Sequence, residues 1–540
     1  MQSDSARIVY DGGDSFELWV GCEVVSLPMR LFTALARRMT ILPILALVPA
    51  AFACDQIPAG QIVWVRLTSP VSSYTAKPGD TVTGVLTEAI QCESNTEFPI
   101  GTHVTGVVHS VRKVGWGIRH ETAALDLQFN ELHPDSGQPV KFVTSLTEVE
   151  NAREQVSSKG MIQGVRSSDT PQGRINSRLI HLPTWNPYSD LGLIVYKATF
   201  PIFPEPEIYL PEGTDLRLKL DKPMPAVTPV AQPAMDTEAY AADDFEWQEF
   251  SRTIPNRTTT TTMASADLIN LVFVGSREQI VDAFRDAGWV NSDTFNRHAF
   301  MHDFYAFLNN SGYPQMPMRP FLLNGEPAEM NWQKSLNSYG RRDHLRMWEW
   351  TDSASTKTVW LSASTHDNTA ALSLRHHQFV HHISPDIDDE RSKVIRDLTA
   401  AGCVQSVHMI QRSGVPTFTE SYNGDPIKTD GSLAVVELKN CQSTTPELAE
   451  VSAPAPYKPG NKTFRYFRRQ ILTFRSDIWR ANIIYGMYDL GRMSVEALKH
   501  HNSQEAYEHE QERQAAAAGA KTASGAPFDS PSSSALLGSQ

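Results

Sequence analysis

Histidine, arginine, tryptophan and carboxylate side chains crowd together between Arg341 and Arg391 more than elsewhere in the chain. In Arg341-Arg342-Asp343-His344-Leu345-Arg346-Met347-Trp348-Glu349-Trp350, the residues His344, Arg346 and Trp348 alternate. Alternate residues of a strand share a face. An imidazole, a guanidinium and an indole would then stand together, with Leu345 and Met347 turned inward. Such a face can hold an anion, because Arg forks onto carboxylate or phosphate and His donates or accepts a proton. It can equally be a solvated face on which Arg stacks on Trp.

Further on, His376, His377, His381 and His382 precede Asp386, Asp388, Asp389 and Glu390. His377 and His381 have the four-residue spacing of a helical zinc site. Gln378 stands where the catalytic Glu would be, and Ser373 to Arg375 read as extended, so no metal is expected. The carboxylates have a structural use in the first turn of a helix, where they offset its dipole. Asp388 and Arg391 are one turn apart and can pair. The functional alternative brings His382 and Asp388 to His344, with the imidazoles as acid/base groups and Asp388 orienting one of them. The candidate catalytic residues are therefore His344, His382 and Asp388. The candidate ligand-binding residues are Arg346, Trp348 and Arg391. No G-x-S-x-G, Walker loop or dinucleotide fingerprint occurs, and no cofactor is expected.

The elements that must position these residues belong to a mixed α+β module over 266–440. It opens with a strand, Ile269 to Val274. Ser276 and Gln279 form a capping box for a helix whose apolar face is Ile280, Val281, Phe284 and Ala287, and Gly288 ends it. A second helix is predicted over Asp293 to Leu308, and a proline-rich loop over Tyr313 to Pro320. His344 to Trp350 and Thr358 to Ser364 form a hairpin. Ser384 caps a helix running from Pro385 to about Ala400. Val404 to Ile410 and Ser432 to Leu438 close the module as strands.

Before the module, 54–223 reads as an all-β barrel or sandwich. Val63, Val65 and Leu67 alternate with Trp64, Arg66 and Thr68. Ile57-Pro58-Ala59-Gly60, Phe98-Pro99-Ile100-Gly101-Thr102 and Leu210-Pro211-Glu212-Gly213-Thr214 each precede a strand. Proline followed two residues later by glycine makes a tight lead-in turn. Residues 224–265 are rich in Pro, Ala, Thr and Asp and read as a linker. After a joint at 441–462, an amphipathic helical tail is predicted over 463–510. Phe467, Ile471, Phe474 and Ile478 lie on one face and five arginines surround them. Residues 511–540 have a disordered composition.

Residues 1–53 read as an export signal. Arg30, Arg37 and Arg38 precede apolar Ile41 to Phe52, and Ala51-Phe52-Ala53 fits an A-x-A cleavage site. Met29 would then be the start. Cys54 follows the cleavage site as a lipidation candidate, although Ala51 and Phe52 fit a lipoprotein box poorly. Export permits disulfides, and Cys403 is expected to pair with Cys441. The formal charge of −13 argues against nucleic acid as a partner.

Two resemblances add to this reading. The order of Ile57-Pro58-Ala59-Gly60, Lys77-Pro78-Gly79-Asp80, Phe98-Pro99-Ile100-Gly101-Thr102 and the Gly106-Val107-Val108 strand resembles the outer-membrane-complex β-barrel subunits of type IV secretion systems. That resemblance implies a barrel fold. The inner-membrane helix and long proline-rich arm of those proteins do not occur, so their secretion role is not carried over.

The module resembles the LssY C-terminal-like domain family from about Asp267 to Leu438. It does so through Asn270 to Ser276, Ala287-Gly288-Trp289, the His344-x-Arg346-x-Trp348 strand, Val359 to Ser364 and His382-x-x-x-Asp386-x-Asp388-x-Glu390-Arg391. The S-G-H and R-x-x-x-x-x-H-x-x-x-D segments of the lipid phosphate phosphatases that accompany many relatives are absent, so that activity is not implied. The expectation is an exported, periplasmic or envelope-associated multidomain protein that binds an anionic ligand near Arg346. Its rival is a hydrolase built on His344, His382 and Asp388. The face of the C-terminal helix that carries Phe467 is expected to be covered, by the protein's own folded part in preference to an anionic membrane surface; envelope proteins or a membrane surface are the alternative partners.

Overall fold

The computed structural model describes residues 56–92, 95–134, 138–166, 169–173, 205–226, 245–350, 358–373, 378–441 and 461–481, with a few positions beyond. The export signal, Cys54, His376, His377, most of the 441–462 joint and the 511–540 tail lie outside them.

The chain is mostly β. Its first part is a nearly closed barrel of eight strands. These are β1 (Ile62–Leu67), β2 (Thr81–Leu86), β3 (His103–Arg112), β4 (Ala124–His133), β5 (Thr144–Val149), β6 (Gln155–Val156), β7 (Ile162–Gln163) and β8 (Asp215–Leu220). Their order is β5-β8-β1-β2-β3-β4-β7-β6, and β6 returns to the side of β5. Alternation decides what the barrel buries. Val63, Val65 and Leu67 join Val104, Leu127 and Leu218 in the core, while Trp64 and Arg66 point out of it. The Pro-x-Gly turns set the register. Gly60, Gly101 and Gly213 all have φ between 84° and 96°, a conformation that favours glycine. Their amides bond to Leu220 O at 2.7 Å, Leu86 O at 2.8 Å and Leu67 O at 2.8 Å.

The second part is a mixed sheet with helices on it. Its strands include β9 (Leu271–Val274), β10 (Met330–Lys334), β11 (Arg342–Trp350), β12 (Val359–Ser373), β13 (Gln378–Ile383), β14 (Val404–Gln411) and β15 (Ser432–Leu438). The order is β10-β11-β12-β9-β15-β14, and β13 pairs with the far end of β12. β9 and β15 are parallel; β11 and β12 form the expected antiparallel hairpin. Helices α1 (Phe245–Thr253), α2 (Arg277–Asp286), α3 (Arg297–Asn309) and α4 (Ile387–Ala400) complete the module. Both sheet faces are covered. α2 and α4 pack Phe284, Val394 and Leu398 on Leu345, Met347 and Trp360; α1 packs Phe250 on the opposite face with Val272 and Leu361. Cys403 and Cys441 are joined by a disulfide.

Three expectations change. The stretch 224–265 is not all linker. It holds α1 and the strand Arg257–Thr260, which pairs with Ser265–Leu268 and with Phe321–Leu323. Phe250 and Ile254 supply the apolar anchors that its overall composition hid. The cap of α4 is Asp386, not Ser384, and its carboxylate accepts from the amides of Asp388 and Asp389. In the tail, helix α5 (Lys462–Ala481) rests on the barrel through a different face. Leu472 enters the barrel core. Arg468 bonds to Glu205, to Glu207 at 3.2 Å and to Gly115 O. Phe467, expected to be covered, is exposed, because the Arg468 side of the helix finds the carboxylates. Most of the expected tail beyond Ala481 lies outside the described residues.

Barrel and module meet in a cluster of buried charges. Arg66 on β1 bonds Asp215 on β8 at 2.7 Å and Asp397 on α4 at 3.1 Å. Lys334 bonds the same two carboxylates at 3.0 and 2.9 Å. Lys393 reaches Glu150 at 2.7 Å, Asp397 at 3.3 Å and Asp343 at 3.5 Å. Asp343 also takes Asn151 at 2.6 Å and His366 at 2.6 Å. Burial alone would lower the Lys393 ammonium, but Asp397, Glu150 and Asp343 outweigh it and hold its pKa well above the ordinary value. Removing one partner of such a pair leaves an uncompensated buried charge and costs about 3–5 kcal/mol. Arg66→Met should therefore lose stability of that order in urea unfolding. It should also separate the barrel transition from the module transition in calorimetry. A loss below about 1 kcal/mol with one unsplit transition, as for a surface pair, would contradict this role.

Candidate active-site cleft

The hairpin of β11 and β12 presents two different faces. The register pairs Arg342 with Asp367 and His344 with Thr365, and it pairs Asp343 with His366 between them. Cross-strand partners share a face. Asp343 and His366 therefore turn to the charge cluster, while Arg342, His344, Arg346 and Asp367 turn the other way. There they form the floor of a cleft of about 740 Å³. Its walls come from α3, the loop Met316 to Pro320, the end of β13 and the loop Ser421 to Asp425.

Asp367 is the hub of this floor. Arg342 donates to it at 2.8 Å, His381 Nδ1 lies 3.3 Å away and His344 Nε2 lies 3.8 Å away. Burial would raise the Asp367 carboxyl, but His344, Arg342 and His381 together hold it well below the usual range. Arg342 is fixed further by Gln333 Oε1 at 2.9 Å. Burial, reinforced by the neighbouring arginines, pushes the His344 imidazole down to about 4 despite Asp367. Burial and Arg342 push His381 down to about 3. Both rings are neutral near pH 7. His344 Nδ1 lies 2.8 Å from the Thr365 carbonyl oxygen. A carbonyl only accepts, so Nδ1 carries the proton and Nε2 keeps a lone pair. His381 Nδ1 makes no hydrogen bond among the described residues. On α3, burial raises the Asp303 carboxyl, which lies against Tyr339.

The expected site residues separate. His344 and Arg346 line the cleft. Arg346 is already committed: it donates to Asp267 at 3.0 Å and to the Arg319 carbonyl at 3.3 and 3.2 Å, over the Phe321 ring. Trp348 lies in the core, its indole N–H on Glu326 O at 3.1 Å, because the sheet is covered on both faces and leaves no solvated face. His382 is held by Asp425 at 2.7 Å, outside the cleft lining. Asp388 accepts from Arg391 at 2.8 Å and from Thr429 at 2.8 Å. Arg391 also pairs with Asp430 at 2.8 Å. Asp388 and Arg391 thus lock the loop before β15. His344, His382 and Asp388 do not converge.

Arg342, Asp367 and His381 were not assigned to this floor from sequence. The signal existed: extending the expected hairpin register from Trp350 opposite Val359 places Arg342 opposite Asp367. The described residues also bring Asp343, His366 and Glu390 within reach of one another. That group already holds Lys393 against Asp343 at 3.5 Å, so it reads as part of the charge cluster.

The folded protein keeps His344 neutral down to about pH 4, whereas an unfolded His protonates near 6.5. The folded form then binds fewer protons across that window, so stability falls as pH drops through it. The loss for this one group is about 3 kcal/mol by pH 4. Urea midpoints of His344→Gln should fall less than those of the parent between pH 6.5 and 4; parallel profiles would contradict the assignment.

Comparison with known proteins bears on the module through one family model. No curated protein matches it significantly. Among solved structures, ComB10 of the Com type IV secretion system of Helicobacter pylori matches with 12% identity, over 33% of this chain and 94% of its own, at a TM-score of 0.19. A score that low carries no argument, and the barrel rests on its strand pairing. The family model of the LssY C-terminus matches residues 251–433, the part of the chain that builds the cleft.

Proposed function

We propose that this is a binding protein whose cleft takes the acidic head of a small anionic ligand together with a proton. The observation that carries it is the lone pair on His344 Nε2, which has the Thr365 hydroxyl at 3.4 Å and Asp367 at 3.8 Å beside it on the cleft floor. Arg342 and Arg346 stand on either side of His344 in the strand, yet their charges are matched by Asp367 and Asp267. An anion entering this floor brings an unmatched negative charge. A proton on His344 balances it, and the resulting imidazolium donates to the anion in a charge-assisted hydrogen bond. Arg346 is then a positioning residue rather than the group that grips the ligand. A hydrolase built on His344, His382 and Asp388 has less support, because His382 and Asp388 are engaged elsewhere. The proposed place at the cell envelope rests on the charged, apolar and A-x-A regions of residues 30–53.

An anion favours the charged imidazole, so binding raises the His344 pKa and takes up a proton. Affinity for butyl phosphate should rise as pH falls from 7.5 to 5.5, by up to about tenfold per pH unit. Titration calorimetry in buffers of different ionisation enthalpy should find proton uptake that His344→Gln abolishes. Binding with no uptake, or with uptake unchanged in His344→Gln, would contradict the reading.

A further inference from the structure

The floor explains a polar head, but it accounts for little of the cleft. About 740 Å³ is far more than a phosphate or carboxylate fills and lies within the range of pockets for larger organic ligands. The rest of the wall is largely apolar, although Asp303, Arg319, Ser421, Asn423 and Asp425 also line it. On α3, Phe300, Phe304, Phe307 and Leu308 line the cleft, and their spacing places them in one stripe of the helix. Ala299, Ala306 and Asn309 are the buried residues that seat the helix. Met316 and Ile383 also contribute to the lining.

Phe307 packs on Tyr339 at 5.5 Å, but the outer part of the stripe is not covered. Phe300 is 48% exposed and Phe304 37%, and Phe295, just before the helix at the cleft mouth, is 73% exposed. Large aromatic side chains normally gain by leaving water, and a contiguous uncovered group of them marks a contact surface. Arg342, His344, Asp367 and His381 form one polar group on the floor, whereas the phenylalanines follow α3. A ligand matched to both regions has one charged end and one apolar length.

We propose that the ligand is a single-chain anionic amphiphile. Its head sits on the His344–Asp367 floor, and its unbranched chain lies along Phe300, Phe304 and Phe307. The inference rests on the binding reading above for the head and on the helix stripe for the chain. Asp303 and Tyr339 lie at the floor end, and the exposed Phe295 marks the end at which the chain emerges.

The test uses the full chain and 1-alkyl phosphates from butyl to dodecyl, below their micelle concentrations, with the matching 1-alkanols beside them. Affinity should rise about fourfold per added methylene, the equivalent of about 0.8 kcal/mol, and level off once the chain passes the wall. Phe300→Ser/Phe304→Ser should flatten that slope and leave the binding of methyl phosphate, which has no chain to lay on the stripe, and its proton uptake unchanged. Both residues are partly exposed, so the variant keeps its thermal midpoint; Phe300→Leu/Phe304→Leu, which retains apolar area, should restore most of the slope. A flat slope with butyl phosphate still bound overturns the chain and leaves the head reading standing. Alkanols that bind as tightly as the phosphates with the same slope overturn the anionic head and leave the chain's place intact. No binding by either series overturns both. A dimer in sedimentation that the serine variant dissolves would assign the stripe to a second copy and overturn the inference.

Discussion

Asp215, Asp343, Asp397, Glu150 and Glu390 meet Arg66, Lys334, Lys393 and Arg396 in a largely buried cluster, and the rest of the structure depends on that meeting. Barrel and module each hold charges that neither could bury alone. Glu150 would be stranded on the barrel without Lys393 and Arg396 of α4, and Asp397 on α4 would lose Arg66 without β1. The carboxylates exceed the lysines and arginines by one. Protons adjust the difference. Burial and the nearby Asp343 push Glu390 well above the ordinary carboxyl range. His366, which burial would lower, is raised by its bond to Asp343.

That cluster reaches the cleft through one hairpin. Asp343 and His366 are fixed on one face by the barrel side; Arg342, His344 and Asp367 are their immediate neighbours in sequence and stand on the other. Immobilising one face of a strand immobilises the backbone of both. The Thr365 carbonyl that sets the His344 tautomer lies next to His366 in the chain. A floor of neutral imidazoles around an ionised aspartate needs such support, since a shift of the carbonyl would free the ring to change tautomer. The barrel is in this sense a support for the cleft, whatever else it contacts.

Much of this was legible in the residues. The alternation at Val63, Val65 and Leu67, the Pro-x-Gly turns, the capping box at Ser276 and the β11–β12 hairpin all follow from local patterns, and each formed as its pattern dictates. His344 and Arg346 were recognisable because a strand sets them side by side. Trp348 was misread for the same reason, since alternation gives a shared face but not whether that face meets solvent. His382, Asp388 and Arg391 were misread because proximity in sequence hid their partners, Asp425, Thr429 and Asp430, which lie some forty residues away. The charge cluster was illegible for a deeper reason. Its members come from barrel strands, from the module sheet and from α4, and only tertiary packing brings them together.

The central claim is that His344 stands neutral on the cleft floor, with its proton on Nδ1 and a lone pair on Nε2. Nitrogen-15 NMR of the histidine rings, with His344→Gln for assignment, reads this directly. The expected result at pH 7 is the Nδ1–H tautomer, persisting on acidification to about pH 4. An Nε2–H tautomer, or a ring that titrates near the ordinary value of about 6.5, would contradict it.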